Sequence, residues 1–368
     1  MISAILASAM STLSSPIEID LDSQTQCQTV VDREKGQYLG HPTTAVLGDG
    51  SILCVYPKGH GRGAILMKKS TDGGRTWSDR LPTPANWSTS LETPTIHRVK
   101  DPKTGGHRLI LWSGLYQARI ASSEDEGKTW TELTPAGDWG GIVVMGCLEQ
   151  MKDGRLVALF HDDGRFFAKG GKATGVFTLY QTFSSDGGRT WSFPEVILSR
   201  SDLHLCEPGM LRSPDGKTLA VMLRENSRKS TSHLILSRDE SKTWTNPKPL
   251  PESLTGDRHT GKVLPDGRVF ISFRDMPKEG KWKGDWVAWV GSWEDFVLRR
   301  DGQYRIRLKD NQDSWDSSYP GVELLKDGSI LTTTYGHWEK GEQPYILSIR
   351  LWMFELDEMA RKAQRAAF

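Results

Sequence analysis

The strongest constraint on this chain is an eight-residue pattern that occurs four times. It reads STDGGRTW from Ser70, SEDEGKTW from Ser123, SSDGGRTW from Ser184 and SRDESKTW from Ser237. The copies start 53, 61 and 53 residues apart, a period that suits a four-stranded sheet with its loops. The pattern itself is turn chemistry. Asp72, Asp125, Asp186 and Asp239 can accept backbone N–H groups a few residues on, and Gly74, Gly127 and Gly188 supply a positive φ. The closing Trp is suited to packing between sheets. The fourth copy carries Ser241 in place of the glycine, which predicts a looser turn.

A second signal lies between these turns: an apolar run, an Asp-Gly pair, and another apolar run. The pairs begin at Asp49, Asp153, Asp215, Asp266 and Asp327, and Asp101 to Gly106 makes a longer version. Asp-Gly between β-formers is a hairpin signature. Six hairpins at this period predict an all-β chain folded as a six-bladed β-propeller with four-stranded antiparallel blades. We place an N-terminal segment at 1–34, containing a signal-like start and a closing strand, the propeller at 35–355 and a helical tail at 356–368.

Charge is nearly balanced, 47 Lys+Arg against 46 Asp+Glu, so no net field draws the chain to nucleic acid or to an anionic membrane. No apolar run approaches the roughly 20 residues of a membrane-spanning helix. The partner expected is a small or neutral molecule held by local chemistry, and the 14 Trp and 37 Gly suit large flat side chains packed between sheets or lining a sugar site, and many tight turns. Cys27, Cys54, Cys147 and Cys206 form no CxxC pair, which reads as structural thiols. The first residues, MISAILASAMSTLSS, have a short apolar stretch but no basic n-region. Compartment and oligomeric state stay open, and no cofactor is called for.

The innermost strand of each blade runs along the central channel, so residues at one register form a ring around its mouth. Eight residues before each Asp-Gly turn stand His41, Met145, Glu207, Arg258 and Tyr319, and the second blade offers Glu92. Ionisable and phenolic side chains at the start of apolar runs are the pattern of a site. The second strands end in Lys58 and His60, then His161, Asp162 and Asp163, then Arg224, then Arg274 and Asp275, then Tyr335 and His337. Antiparallel pairing brings these ends beside the ring. The histidines, His259 among them, are too scattered to show a metal-ligand spacing, even with Asp162 or Asp163.

The S-x-D-x-G-x-T-W pattern resembles the Asp-box of the sialidase-like superfamily, and the likeness runs over roughly residues 35 to 355. It speaks for the fold more than for the reaction. What the resemblance implies for the site is a Tyr/Glu couple with an arginine clamp. Glu207 and Arg224 match the family's Glu and second clamp Arg, Tyr319 matches its nucleophile, and Arg274, or else Arg258, stands for the third Arg. A neutral phenol suits an anionic substrate that would repel a carboxylate nucleophile.

Two departures stand beside these matches. His41 occupies the place of the first clamp Arg, and Gly336 after Tyr335 replaces that arginine's supporting Glu. The family's acid-bearing loop reads PKGHGRG here, with no carboxylate, so His60 is the nearest proton donor and Asp162 and Asp163 are its rivals. Lys58 and Arg62 are expected to lower the His60 pKa. The reading is an exo-acting glycoside hydrolase that removes a terminal acidic sugar, sialic acid first among them by resemblance. The alternatives are a histidine-based carbohydrate-active enzyme, whether a lyase or a hydrolase on another sugar, and a non-catalytic glycan-binding propeller. The other residues assigned to substrate binding are His41, Lys58, Glu92, Arg258, His259, His161, Tyr335 and His337.

Overall fold

The computed structural model describes residues 15–167, 171–313 and 315–366; the signal-like start falls mostly outside them. Each hairpin belongs to its own sheet, and six sheets form the ring. The inner strands, in order, are Thr43–Val46, Thr95–Lys100, Met145–Gln150, Leu205–Arg212, Gly256–Val263 and Gly321–Leu324, and the last packs against the first. The protein is thus a six-bladed β-propeller.

Two blades depart from four strands. The first has three, Thr43–Val46, Ile52–Pro57 and Ile65–Ser70. Its outer edge is met by an irregular segment whose Ser78 and Leu81 N–H groups donate to the carbonyls of Lys69 and Met67, each at 2.8 Å. The fifth gains Ile17–Asp20, parallel to Tyr304–Lys309. The sixth is completed by Gln28–Asp32, antiparallel to Tyr345–Leu351, so the start of the chain closes the ring. A terminal helix, Met353–Ala366, follows. No helix among the described residues is long and apolar enough to cross a membrane.

The second strands read as continuous apolar runs because both faces of each blade are covered. Ile52–Pro57 and Leu156–Asp162 are buried along their whole length. The core is accordingly a series of layers between neighbouring blades. Leu53 and Val55 pack with Leu109 and Leu111, Leu159 with Val221, and Met222 with Ile271.

Third strands run in the same direction as inner ones, so the Asp-boxes that follow them lie at the opposite end from the inner-strand starts. Asp72 accepts from the N–H groups of Arg75 (3.0 Å) and Thr76 (2.9 Å), and from the hydroxyls of Ser70 (2.9 Å) and Thr76 (2.6 Å). The box glycine also rests on the preceding blade. A Cβ on Gly127 would lie 2.5 Å from Leu53, and one on Gly188 2.0 Å from Ile110, and both residues have positive φ. The fourth turn is not looser. Ser241 adopts φ 68° itself, its N–H donates to Ser237 Oγ at 3.0 Å, and its hydroxyl bonds Gln181 of the preceding blade. The box therefore ties its own turn and docks it on the neighbouring blade.

Asp72→Ala should lower stability by about 1–2 kcal/mol through its lost turn bonds, read as a fall in Tm by calorimetry. Unchanged melting would refute this role.

Candidate active site

The ring at the channel mouth can be read from strand pairing. The inner-strand ladders run without interruption from Thr43 with Val55, Thr95 with Trp112 and Gly321 with Thr333, and past their register shifts from Cys147 with Leu159, Gly209 with Met222 and Thr260 with Ser272. Two residues before each stand His41, Thr93, Tyr319, Met145, Glu207 and Arg258. Glu92 is one residue off this register. Bulges interrupt the ladders between Cys206 and Gly209 and between Asp257 and Thr260. His41, Glu207 and Arg258 share the left-handed region, at φ 52°, 51° and 52°, a conformation that costs such residues about 1–3 kcal/mol and gathers at functional sites. The kink turns their side chains out of the sheet alternation.

Glu207, Arg224 and Tyr319 meet. The Tyr319 hydroxyl donates to Glu207 Oε1 at 2.7 Å, and Arg224 Nη1 donates to the same oxygen at 2.7 Å and to the phenol oxygen at 3.0 Å. Glu207 Oε2 accepts the Arg258 N–H at 3.2 Å. Burial pushes the Glu207 pKa up, but the Arg224 guanidinium, the Tyr319 hydrogen bond and Arg274 together outweigh it and the carboxyl stays below its usual range. Burial, with Glu207 adding to it, pushes the Tyr319 phenol well above its usual range. The couple at rest is a carboxylate and a neutral phenol.

Behind it lies Asp257, which the sequence reading missed. It is fully buried and serves three arginines. Arg274 Nε donates to it at 2.9 Å, Arg228 donates through both terminal nitrogens at 2.6 and 2.8 Å, and Arg224 Nε lies 3.1 Å away. Burial opposes the charge, yet Arg274, Arg224 and Arg228 hold the carboxyl far below its ordinary range. Arg274 also donates to the carbonyls of Trp315 and Ser317, and its guanidinium lies 5.3 Å from the Tyr319 ring centre. It packs beside the couple with its donors largely committed. Three guanidiniums face the carboxylates of Glu207 and Asp257, which leaves one positive charge in excess.

The other side of the mouth is a proton network around Asp316, also missed from sequence. Tyr38 and Tyr335 donate to its two oxygens at 2.6 and 2.7 Å, and His60 Nδ1 lies 3.1 Å from Oδ2. Tyr335 Oη lies 3.1 Å from His41 Nε2, and the His41 ring packs 4.8 Å from that of Tyr319. Burial lowers the His41 pKa to about 3, so it is neutral at pH 7. His60 is not lowered as Lys58 and Arg62 led us to expect. Its bond to Asp316 raises it above 6.5 against the effect of burial, while Lys58 pairs with Glu34 at 3.0 Å. Glu92 lies under the His60 loop, since a Cβ on Gly61 would come within 2.2 Å of its Oε1. Burial pushes its carboxyl up. His41, His60 and Asp316 could also hold a metal, their ligand atoms lying within 4.8 Å of one another.

The remaining assigned residues point elsewhere. Asp162 accepts the N–H groups of Gly164 (2.7 Å) and Phe167 (3.2 Å) and shapes its own loop, and Asp163 bonds Arg165 at 2.7 Å. His161 accepts the Glu207 N–H at 3.3 Å and supports the couple from behind. His259 is buried against Phe273 with Nε2 on the Leu254 carbonyl. His337 bonds the Glu342 carbonyl, away from the mouth. Arg258 extends Nη2 to the Met145 carbonyl. The missed residues had one usable signal: Asp257 precedes a ring residue, and Asp316 stands three before another.

Asp257→Ala leaves three arginines without their common carboxylate. It should destabilise the fold by about 3–5 kcal/mol, the scale for removing one partner of a buried ion pair. A loss under about 1 kcal/mol in urea unfolding would show that the arginines do not need it.

Residues 102–331 match the BNR repeat-like domain family. A sialidase of Micromonospora viridifaciens is 26% identical over 330 residues, covering 80% of this chain and 47% of its own length. The chain thus spans about half the length of this curated relative. Among solved structures, a protein of unknown function from Dyadobacter fermentans superposes with a TM-score of 0.67 at 17% identity, covering 88% of this chain and 97% of its own. The intramolecular trans-sialidase of Ruminococcus gnavus gives 0.61 at 16%, covering 87% and 95%; both show the fold alone. With the four Asp-boxes, these matches establish that the chain belongs to the BNR repeat-like domain family, within the sialidase-like superfamily.

Proposed function

We propose that this protein is an exo-acting glycoside hydrolase that removes a terminal acidic sugar, sialic acid first among the candidates. The observation that carries the reading is the Tyr319 hydroxyl donating to Glu207 at 2.7 Å while Arg224 donates to both. Glu207 takes the phenol proton as the phenol oxygen attacks the anomeric carbon, and Arg224 stabilises the phenolate that develops. The excess positive charge around Asp257 favours an anionic sugar. The names of the sialidase relatives agree with this substrate class.

His60 is the proton donor in this reading. Its side chain is 65% exposed while Nδ1 faces Asp316, and its bond to Asp316 raises its pKa and so favours the protonated, donating form. It donates to the leaving oxygen, and as neutral imidazole it then activates the water that cleaves the sugar from Tyr319.

The test is a panel of nitrophenyl sialosides, uronides and neutral glycosides. Tyr319→Phe should lose at least about 10²-fold on the preferred substrate; more than a tenth of wild-type activity would overturn the nucleophile, and an unsaturated product absorbing in the ultraviolet would make the protein a lyase. His60→Ala should lose about 10²-fold on a natural glycoside and much less on an activated one. Because His60 acts protonated and its pKa is raised, wild-type kcat/KM should hold below pH 6.5 and fall only at higher pH. A profile whose alkaline limb persists in His60→Ala would move the acid role to another group.

A further inference from the structure

Beyond Asp257, on the same face, lies a cleft of about 450 Å³ that the mechanism above does not use. Its walls are the loops that follow the second strands of the fourth and fifth blades, and Trp315 also lines it. Three lysines line it, Lys229, Lys278 and Lys283, against two carboxylates, and Arg228 on its wall is held by Asp257. Both carboxylates are committed. Glu225 accepts from Ser227 Oγ at 2.7 Å and from the N–H groups of His204 and Lys229 at 3.0 Å each, and Glu252 accepts the Lys278 N–H at 3.1 Å.

Trp315 is 57% exposed, an unusual position for the largest side chain in a protein that buries Trp87, Trp112, Trp286 and Trp289 completely. Lys283 Nζ lies 5.3 Å from its ring centre, which sets a positive charge at the indole. An exposed aromatic face beside fixed cations suits a sugar ring that bears an anion, since the C–H face stacks while the charge is paired. The cleft is also joined to the couple. Arg228 on its wall shares Asp257 with Arg224, and the Trp315 carbonyl accepts from Arg274.

We propose that this cleft holds the sugar on the leaving-group side of the scissile bond, because Trp315 on its wall is the chain neighbour of Asp316, which bonds the proton donor His60, and that this sugar carries a carboxylate or a sulfate. The inference rests on the hydrolase reading for its leaving-group role. Its chemistry can be tested without turnover, in the inert Tyr319→Phe protein.

The probe is a glucuronate-containing tetrasaccharide titrated calorimetrically in sulfated, desulfated, and both desulfated and carboxyl-reduced forms. The anionic forms should bind at least tenfold more tightly than the neutral one and weaken as salt rises. A preference that disappears on desulfation identifies the sulfate as the recognised group, and one that disappears only on carboxyl reduction identifies the carboxylate. Adding Trp315→Ala or Lys283→Glu should weaken binding at least tenfold, and the exposed Lys278→Glu serves as a second charge variant, with Tm confirming that each is folded. Equal affinity for all three forms, no measurable binding, or variants with unchanged affinity would overturn the proposal. Anion-selective binding together with a wild-type protein that cleaves no glycoside would overturn the leaving-group role and the hydrolase reading, while supporting the anionic specificity of the cleft.

Discussion

Ring closure is the constraint on which the rest depends. A blade has two apolar faces and no stability of its own, so each needs both neighbours, and the sixth meets the first through its inner strand and through Gln28–Asp32, which completes its sheet and adds Val31 to the layer of Cys54 and Tyr56. The Asp-boxes fasten successive blades at the opposite face, through Gly127 on Leu53 and Gly188 on Ile110. With the blades fixed, residues far apart in sequence are held to hydrogen-bond distance. Tyr319 and Glu207 stand 112 positions apart and meet at 2.7 Å.

Within the mouth, electrostatics sorts the arginines into two tasks. Arg224 reaches the couple, whereas Arg228 and Arg274 bind Asp257, and the surplus charge is delivered as a field rather than as a three-armed clamp. Buried guanidiniums without such a partner would be costly. The shared carboxylate is therefore what allows so many cations beside a phenol.

The opposite corner shows what stands in place of the charge pair. His41 and Gly336 stand where the resemblance leads one to look for an arginine and its glutamate. Asp316, Tyr38, Tyr335 and His60 fill the corner with mutually satisfied hydrogen bonds. His41 is neutral there, so the corner adds no fixed cation for a carboxylate and instead raises His60.

The local sequence carried the blades, because a turn motif and an Asp-Gly hairpin depend only on residues a few positions apart. It carried the ring as well, since alternation along a strand lets one register be counted from each turn; Glu207, Arg258 and Tyr319 were legible for that reason. It did not carry what faces what across the channel. Asp257 and Asp316 lie in unremarkable strand and loop contexts: Arg274 stands opposite Asp257 in its own hairpin, but Arg224 and Arg228 come from the preceding blade, and Tyr38 reaches Asp316 only once the ring has closed. Asp162 and His259 share the sequence appearance of site residues, yet packing turns one onto its own loop and the other into the core. Sequence determined the scaffold and the register, which are local and periodic. Tertiary structure decided charge partnership, and with it the protonation state of each group at the mouth, because Coulomb and burial terms depend on neighbours that come from other blades.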